Sequence, residues 1–221
     1  MTLSDLARLL RMPTSTCFGL MRTLQARGYL YEVGGRKSFY PTARWLAMAR
    51  KIESKDPILE QLQPYLDKLR DLTGETVVLS KLMGDSVVYL NVVESTQSIR
   101  YTSGVGDLKP VASTSSGKAL MSAVAPRERE ALLARLRNAG GTRLTSTQKT
   151  QMNEEIDRSR KRGWYVGRGE NVIDVMGVAA PVHAAGDIFS ITVAGPMNRM
   201  EPKLHQHAKQ LIWVCKALLK K

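Results

Sequence analysis

The apolar positions of residues 2–26 recur at the spacing of two consecutive α-helices. The apolar face of the first helix consists of Leu3, Leu6, Ala7 and Leu10. Pro13 disfavours the α conformation at Met12, so the first helix is expected to end there, and Thr14 and Ser15 are suited to cap the second. The second helix has an apolar stripe that consists of Cys17, Leu20, Met21 and Leu24. Two helices separated by such a short turn predict a helix-turn-helix.

A basic hairpin is predicted directly after the second helix. Gly28 ends the helix, residues 29–33 and 36–40 have the composition of strands, and two glycines make the turn between them. Arg36 and Lys37 at the tip are suited to contact backbone phosphate. Helix, turn, helix and hairpin in this order predict a winged helix-turn-helix, which reads DNA in the major groove. An ordinary amphipathic helical hairpin has the same apolar stripe, and the attached basic hairpin is the independent signal that favours DNA binding.

Residues 42–55 form one helical pattern, which we interpret as a linker between two domains. Its apolar stripe consists of Trp45, Met48, Ala49 and Ile52. An apolar stripe of this length is expected to pack against a neighbouring helix or a second subunit.

From residue 56 onward, helical and strand patterns alternate as in an α+β domain. Helices are predicted over residues 57–72, 111–123, 127–136, 147–162 and 202–219. Strands are predicted over residues 76–82, 86–93, 98–103, 164–166, 178–182 and 188–194. This order of elements is typical of small ligand-sensing domains.

The charge is unevenly distributed along the chain. The 221 residues carry a net charge of +13, with a pI near 10.0. Residues 1–53 contain 9 Lys and Arg against 3 Asp and Glu, a net +6, whereas the remaining 168 residues contain 24 against 17, a net +7. Positive charge is therefore densest at the predicted helix-turn-helix, which favours a polyanionic partner over a merely basic surface.

Cysteine usage and hydropathy indicate the compartment. Cys17 and Cys215 are the only cysteines, and their apolar neighbours predict small buried thiols without a disulfide or a zinc site. There is no run of about 18 or more apolar residues and no charged-then-apolar leader. We therefore expect a cytoplasmic protein that has no membrane partner, metal or cofactor.

A cluster of hydroxyl residues, Ser113-Thr-Ser-Ser-Gly-Lys118, lies at the start of a predicted helix. The helix dipole and the unpaired N–H groups there favour an anion, and a carboxylate is the natural ligand. Gly117 allows close backbone approach, and Lys118 is expected either to hold charge on the ligand or to reach solvent. An ordinary helix cap by Thr114 or Ser115 is the simpler interpretation, and composition alone favours it.

The same cluster contains a Ser-x-x-Lys tetrad from Ser115 to Lys118, the nucleophile arrangement of penicillin-recognising enzymes. The companion motifs Ser-Asp-Asn and Lys-Thr-Gly are absent from the sequence. Gly104-Val-Gly106 does not continue into a dinucleotide-binding pattern, and Gly117-Lys118 lacks the rest of a phosphate loop. The three histidines, His183, His205 and His207, have no partner that indicates a metal or a triad. A non-enzymatic protein is therefore expected.

Several separated motifs, in order, resemble the IclR (isocitrate-lyase-regulator) family of bacterial transcription factors over nearly the whole chain. In the first part the motifs are Leu3-Ser-Asp-Leu-Ala7, Met12-Pro-Thr-Ser-Thr16, residues 24–28 and the hairpin that ends at Tyr40. In the second part they are Gly74-Glu-Thr-Val77, residues 110–119, Arg162-Gly-Trp164, Glu170, Val178-Ala-Ala-Pro-Val182 and Gly195-Pro-Met-Asn-Arg199.

The resemblance implies a winged helix-turn-helix domain over residues 1–41, a linker helix over 42–55 and a GAF-like α/β effector-binding domain over 56–221, assembled as a homodimer or a dimer of dimers. It implies a small organic or aromatic acid bound between a curved sheet and residues 111–119. By position, the effector contacts would be Ser113, Thr114, Ser116, Gly117, Gly177, Thr192 and Ala194. By position, the contacts to the double-stranded DNA operator would be Thr14, Ser15, Thr16, Phe18, Arg22, Arg36 and Lys37. The implied function is a DNA-binding transcriptional regulator, a repressor or an activator, whose operator affinity or promoter activity the acid controls.

Three departures from the family pattern bear on this expectation. The family usually has one more helix before Thr2, so either the true start lies upstream or the DNA-binding domain lacks part of its core. Gly19 stands where many members have an arginine, which removes one DNA contact and weakens the helix by about 1 kcal/mol. Small residues at Gly167, Gly177 and Ala194 predict a bulkier or more apolar effector. A sensor that has lost specific DNA binding remains an alternative, and a Ser-x-x-Lys hydrolase is a less favoured one.

Overall fold

Two helices joined by a three-residue turn open the chain in the computed structural model, which describes residues 2–34, 38–53, 56–137 and 141–218. The chain divides into two compact units, residues 1–60 and 61–221. Helix α1 (Leu3–Leu10) begins at Thr2, which exchanges capping hydrogen bonds with Asp5, and ends at Arg11 in the left-handed conformation (φ 51°). Helix α2 (Thr14–Ala26) follows.

The cap of α2 differs from the prediction. Pro13 is the N-cap residue and α2 has no side-chain cap, so the expectation that Thr14 or Ser15 caps this helix was wrong. The proline has no N–H of its own to satisfy, and its restricted φ of −57° suits the position just before the helix. The first N–H groups of α2 are therefore left without a side-chain acceptor from the cap.

The core between α1 and α2 is small. Ala7, Cys17 and Met21 are buried, and Leu24 is half-buried. Leu20 is 49% exposed, so its predicted place in the buried stripe was wrong. At 100° per residue, the centre of the face formed by residues 17, 21 and 24 lies about 60° around the helix from Leu20. Leu20 therefore lies at the edge of the buried stripe.

The hairpin and the following helix complete the first unit. Strands β1 (Leu30–Val33) and β2 (Ser38–Pro41) pair antiparallel, with Leu30 opposite Pro41. Helix α3 (Arg44–Glu53) is tied to the start of the hairpin, since Trp45 Nε1 donates to the Tyr29 carbonyl at 3.1 Å. The predicted hairpin and helix are therefore present with shorter bounds.

The second unit is built on a six-stranded antiparallel sheet in the order β5-β4-β3-β8-β7-β6. Its strands are β3 (Thr76–Met83), β4 (Ser86–Val93), β5 (Leu108–Pro110), β6 (Tyr165–Arg168), β7 (Val175–Ala184) and β8 (Asp187–Pro196). Its helices are α4 (Pro57–Thr73, which starts in the first unit), α5 (Ser115–Ala123), α6 (Pro126–Arg135), α7 (Ser146–Arg160), α8 (Met197–Met200) and α9 (Leu204–Leu218). Both α5 and α9 pack on β7 and β8.

Two predicted elements of this unit were wrong. Residues 98–103 do not form a strand, and β5, in a segment for which no strand was predicted, takes the edge beside β4 instead. The short helix α8 was not predicted, and α9 begins at Leu204 instead of Pro202. Since α8 has only four residues, it carries too little periodicity to be recognised.

A buried ion pair joins two motifs that lie 124 residues apart. Glu75, at the start of β3, accepts two hydrogen bonds from the Arg199 guanidinium, at 2.7 and 2.8 Å. Glu75 is buried, and a Cβ at Gly195 would lie 2.3 Å from its Oε2. Gly195 therefore makes room for the carboxylate, which explains why the motifs around Glu75 and Arg199 belong together.

The two thiols are buried and free, as the sequence predicts. Burial raises the pKa of Cys215 to about 12, so this thiol is protonated and unreactive at neutral pH. Within the described residues, no helix is long and apolar enough to cross a membrane. That same part of the chain contains no group of three or more His, Cys, Asp or Glu that is placed to hold a metal ion.

His207 on α9 makes stability depend on pH. It is buried, and neither ring nitrogen has a hydrogen bond of good geometry in the described structure. Burial lowers its pKa from 6.5, although the neighbouring Gln210 side chain and Glu75 oppose this shift. The unfolded chain therefore binds a proton that the folded chain does not, so stability is complete above pH 6.5 and is lost as pH falls below it, by at most about 1.4 kcal/mol per pH unit.

Denaturant unfolding at several pH values checks this prediction. His207→Leu is expected to flatten the dependence between about pH 5.5 and 7.5, one unit either side of the unfolded value. His183→Gln, at an exposed histidine, is expected to keep it. An equal slope in His207→Leu and the unaltered protein would contradict the assignment.

Candidate functional site

The first candidate site is the exposed surface of α2. All five predicted DNA contacts on this helix are exposed, namely Thr14, Ser15, Thr16, Phe18 and Arg22. They follow an uncapped helix start, where free N–H groups and the helix dipole attract phosphate. Arg36 and Lys37, the predicted contacts at the hairpin tip, lie outside the described residues. The surface thus has the polar N-terminal turn that a recognition helix presents to a major groove.

The second candidate site is a cavity of about 40 Å³ in the second unit. Six of the seven predicted effector contacts line it, namely Ser113, Thr114, Ser116, Gly177, Thr192 and Ala194. The lining residues that were not predicted as contacts are Tyr89, Tyr101, Ser115, Gly167, Gly169, Glu170, Asn171, Val172 and Val175. The tyrosines were missed because a strand pattern does not show which alternate residue faces a ligand.

The start of α5 forms the polar end of the cavity. Thr114 caps this helix, since its hydroxyl accepts from the Gly117 N–H at 3.1 Å and donates to the Pro110 carbonyl at 2.9 Å. Helix geometry leaves the N–H groups of Ser115 and Ser116 without an intrahelical partner. The cap interpretation is therefore confirmed, and because the cap occupies only one N–H, it is compatible with the anion-site interpretation.

Two hydroxyls beside this helix start lack a partner. The Ser113 and Thr192 hydroxyl oxygens are buried, and neither has a hydrogen bond within the described structure. Thr192 is 95% buried, on β8, and lines the cavity. A buried hydroxyl without a hydrogen bond lowers the stability of the fold by about 1–3 kcal/mol. Both hydroxyls are therefore expected to bind a polar ligand or water inside the cavity.

Two tyrosines close another part of the cavity wall. The hydroxyls of Tyr89 and Tyr101 lie 3.4 Å apart. Burial and the neighbouring Tyr101 hold the pKa of Tyr89 well above its usual range, so its hydroxyl stays protonated at neutral pH. Tyr89 therefore offers a neutral hydroxyl to the cavity.

Gly117 does not line the cavity, contrary to the predicted role in effector binding. A Cβ at this position would lie 2.1 Å from the Val111 carbonyl oxygen and 2.7 Å from two other Val111 backbone atoms. The close approach that requires glycine is thus made by the chain's own 3-10 turn (Val111–Ser113).

Lys118 neither contacts the cavity nor reaches solvent, so both sequence-based expectations for it were wrong. Its side chain is only 3% exposed, and Nζ donates to Glu155 at 2.9 Å, to the Val166 carbonyl at 3.1 Å and to Glu170 at 2.8 Å. These partners lie 37 to 52 residues away along the chain. Because three oxygens hold this ammonium, it is not placed as the base that a Ser-x-x-Lys hydrolase needs beside its serine.

Two glycines let α5 lie close to the sheet. Gly167 and Gly177 are direct partners on β6 and β7. A Cβ at Gly167 would lie 3.1 Å from the Ser115 nitrogen, and a Cβ at Gly177 would lie 2.6 Å from the Ser115 hydroxyl oxygen. The glycines thus make room for the start of α5, and the small cavity gives no support to the expectation that they make room for a bulkier effector.

A helix-turn-helix unit joined to an α/β unit with an anion-suited cavity defines a DNA-binding transcriptional regulator controlled by a ligand. Family models agree: residues 1–34 match the IclR helix-turn-helix domain, and residues 51–217 match the bacterial transcriptional regulator IclR C-terminal domain. The chain therefore belongs to the IclR family of bacterial transcriptional regulators, as its motifs indicate.

Individual relatives support this assignment. The HTH-type transcriptional regulator BhcR of Paracoccus denitrificans is 28% identical over 202 residues, which are 90% of this chain and 72% of that protein. The crystal structure of an IclR transcriptional regulator from Silicibacter sp. TM1040 has a TM-score of 0.78 at 28% identity and covers 100% of this chain and 88% of that one. An IclR homologue from Microbacterium hydrocarbonoxydans complexed with 4-hydroxybenzoate shares the fold, with a TM-score of 0.76 at 20% identity over 100% and 92% of the two chains. The predicted family and fold class are confirmed.

Proposed function

We propose that a small organic acid binds in the cavity of the second unit with its carboxylate at the start of α5, and that it controls the affinity of the chain for a DNA operator. The observation that carries this proposal is the pair of buried, unpartnered hydroxyls on Ser113 and Thr192 in a cavity that Ser115 and Ser116 also line. The N–H groups of Ser115 and Ser116 have no partner within the helix. Together they offer hydrogen-bond donors and a helix dipole to an anion without a side-chain cation.

The size of the cavity narrows the class of acid. Its volume of about 40 Å³ corresponds to roughly three water molecules. We therefore propose a short aliphatic acid as the ligand of the cavity as it stands. The Microbacterium relative is described in complex with 4-hydroxybenzoate. The loop of residues 169–174 contributes four residues to the cavity wall. This loop would have to move outward to admit an aromatic ring.

Control of DNA binding requires two arrangements of the protein that differ in affinity for the acid. An acid that binds one arrangement more tightly shifts the population toward it, and the same coupling free energy then changes operator affinity. We propose that α3, within the linker of residues 42–55, transmits this change between a DNA-binding domain over residues 1–41 and an effector domain over 56–221.

Self-association is part of the proposal. On α3, large apolar side chains are exposed by 43% to 66%, namely Trp45, Leu46, Met48 and Ile52. A stripe of this kind is suited to pack against a second copy of the chain, and a dimer reads two half-sites of an operator in the bacterial cytoplasm. Sedimentation velocity tests this part, since a monomer at micromolar concentration would contradict it.

Thr192→Val tests the ligand site, because valine keeps the shape of threonine and removes the hydroxyl. Thermal-shift assays with aliphatic acids of two to four carbons and with their amides are expected to show stabilisation by an acid and none by its amide. Thr192→Val is expected to weaken the binding of that acid about tenfold, which corresponds to the loss of one hydrogen bond worth about 1.4 kcal/mol.

Ser190→Ala is the matched control for this experiment. Ser190 carries a second buried, unpartnered hydroxyl on β8, but it does not line the cavity. Equal losses of acid affinity in Thr192→Val and Ser190→Ala would place the ligand elsewhere.

Arg22→Ala tests the DNA surface. Arg22 is exposed on α2, so its loss is expected to weaken binding to duplex DNA from upstream of the chain's own gene by about tenfold at physiological salt. Anisotropy with excess competitor DNA gives the readout, and Arg143→Ala, on the second unit, serves as the control of equal charge. Binding that competitor DNA abolishes in the unaltered chain would favour a sensor that has lost specific DNA binding.

A further inference from the structure

The outer face of α9 forms a groove of about 360 Å³ that shares no lining residue with the ligand cavity. The groove is lined by Arg162, Trp164, His205, Ala208, Lys209, Ile212, Trp213 and Lys216. Six of these residues follow one another on α9 at helical spacing, and the other two belong to the motif Arg162-Gly-Trp164. Neither DNA contact on α2 nor acid binding in the cavity accounts for this motif.

The motif forms a rigid wall of the groove. The Arg162 guanidinium lies 4.0 Å from the centre of the Trp164 ring. It also donates to the Trp164 carbonyl at 2.9 Å and to the Ser159 hydroxyl at 3.0 Å. Gly163, with φ +82°, allows the turn that stacks the two side chains and lies against Ile212. A guanidinium held in this way loses little entropy when it binds an anion.

A second indole with a cation against it also lines the groove. Trp213 is 52% exposed, and Lys68 Nζ lies 4.4 Å from the centre of its ring. Lys209 and Lys216 extend the positive charge along the rim, and within the described residues neither forms an ion pair. No carboxylate lines the groove, whereas Ala208 and Ile212 give it an apolar floor.

We propose that this groove binds an acidic peptide segment of a partner protein, with carboxylates on the rim and an apolar side chain on the floor. We choose an acidic partner on the ground of charge complementarity. Three cationic side chains, Arg162, Lys209 and Lys216, line the groove, and no Asp or Glu lines it. Lys209 and Lys216 are seven residues apart on one helix, about 10 Å along its axis. Two acidic residues three positions apart in an extended peptide span the same distance.

A second copy of the chain fits this groove poorly. Two identical faces would bring like charges together. The acidic stretch on α7 presents Glu154 and Asp157 to solvent, but Ile156 between them is fully buried and cannot supply the apolar side chain.

Single-stranded nucleic acid also fits poorly. One face of each indole in the groove is already covered by a cation, at 4.0 Å for Trp164 and 4.4 Å for Trp213. Trp164 is also half-buried, with His205 against it edge-on at 5.8 Å. Base stacking needs open aromatic faces, which these two side chains offer only in part.

The test uses the full chain and a fluorescein-labelled peptide with the sequence Ser-Glu-Asp-Leu-Ile-Glu-Asp-Ser. We expect saturable binding by anisotropy at physiological salt, and at least tenfold weaker binding to the double variant Lys209→Glu/Lys216→Glu. Both lysines are exposed, so the fold is expected to tolerate the change, which a melting curve verifies. Lys209→Gln/Lys216→Gln replaces it if α9 unfolds.

The matched control is Arg127→Glu/Arg143→Glu, two exposed cations outside the groove that change the net charge by the same amount. Binding within twofold of the unaltered chain is expected there. Equal losses in the two double variants would show that net charge alone acts, and would overturn the proposal. So would an absence of saturable binding, or equal affinity for a peptide with serines in place of Leu and Ile.

A second copy of the chain and single-stranded nucleic acid, the other two candidate ligands of the groove, would each give a different experimental result. A change of oligomeric state in Lys209→Glu/Lys216→Glu would assign the groove to a second copy of the chain. Loss of labelled oligothymidylate binding in that variant, with peptide binding retained, would assign it to nucleic acid. Either result would overturn the acidic-peptide assignment.

Discussion

Gly117→Ala is expected to unfold the second unit or to lower its melting temperature by roughly 10 °C or more. The added Cβ would lie 2.1 Å from the Val111 carbonyl oxygen, a distance that no side-chain rotation can relieve because both partners are backbone. Helix α5 would have to move away from the 3-10 turn, yet it packs on five strands of the sheet and supplies the polar end of the cavity. Stability and acid binding are therefore expected to be lost together.

Gly19→Ala is the matched control for this prediction. Gly19 is also a helical glycine, but no heavy atom lies within 4 Å of the position that its Cβ would take. Alanine there is expected to stabilise α2 by about 1 kcal/mol, because glycine is the poorer helix former. Thermal unfolding monitored by circular dichroism distinguishes the two variants by the sign of the change in melting temperature. Similar changes in both variants would show that the contact with Val111 is not decisive.

Arg199→Ala is expected to cost about 3 kcal/mol of the free energy of unfolding at neutral pH. The substitution leaves the buried Glu75 carboxylate without the two hydrogen bonds that Arg199 supplies at 2.7 and 2.8 Å. Arg199→Lys keeps the positive charge but not the two parallel bonds, so an intermediate loss is expected. Denaturant unfolding at a fixed pH measures all three proteins.

Two further variants separate this pair from ordinary surface ion pairs. The pair between Arg168 and Glu201 has the same two-bond geometry, but both side chains are 48% exposed. Arg168→Ala is therefore expected to cost less than about 1 kcal/mol. A double variant Glu75→Gln/Arg199→Ala is expected to recover part of the loss, because a neutral amide is less costly to bury than a carboxylate. Equal losses in Arg199→Ala and Arg168→Ala would contradict the role of burial.

A helix or strand is predicted correctly from the sequence when the residues within that segment are enough to determine its structure. Strand β4 has the predicted bounds of residues 86 and 93, since its strand composition and the glycine turn before it are local signals. Residues 98–103 have a similar pattern, but they are held by other bonds, such as that from the Thr76 hydroxyl to the Tyr101 carbonyl at 2.6 Å. The periodicity of one segment cannot show which segment will pair with the sheet edge.

The site shows the same division. Six of the seven residues predicted from the family motifs as effector contacts line one cavity, so these motifs contain the information that brings them together. The partners of Lys118 were not predictable, because Glu155 and Glu170 lie 37 and 52 residues away and only the packing of α7 and the β6–β7 loop brings them together. Leu20 was misplaced because a stripe on a helix does not define its own edges.

The paired glycines Gly167 and Gly177 limit how the ligand preference of this domain can diverge. A side chain at either position would first meet the start of α5, so these positions cannot be used to reshape the cavity without moving the helix that forms its polar end. Changes of ligand preference are therefore expected at the other lining residues, such as Asn171 and Val172 on the loop and the hydroxyl positions Ser113 and Thr192. An engineer who wishes to change the ligand of this domain has most freedom at the loop and least at the two glycines.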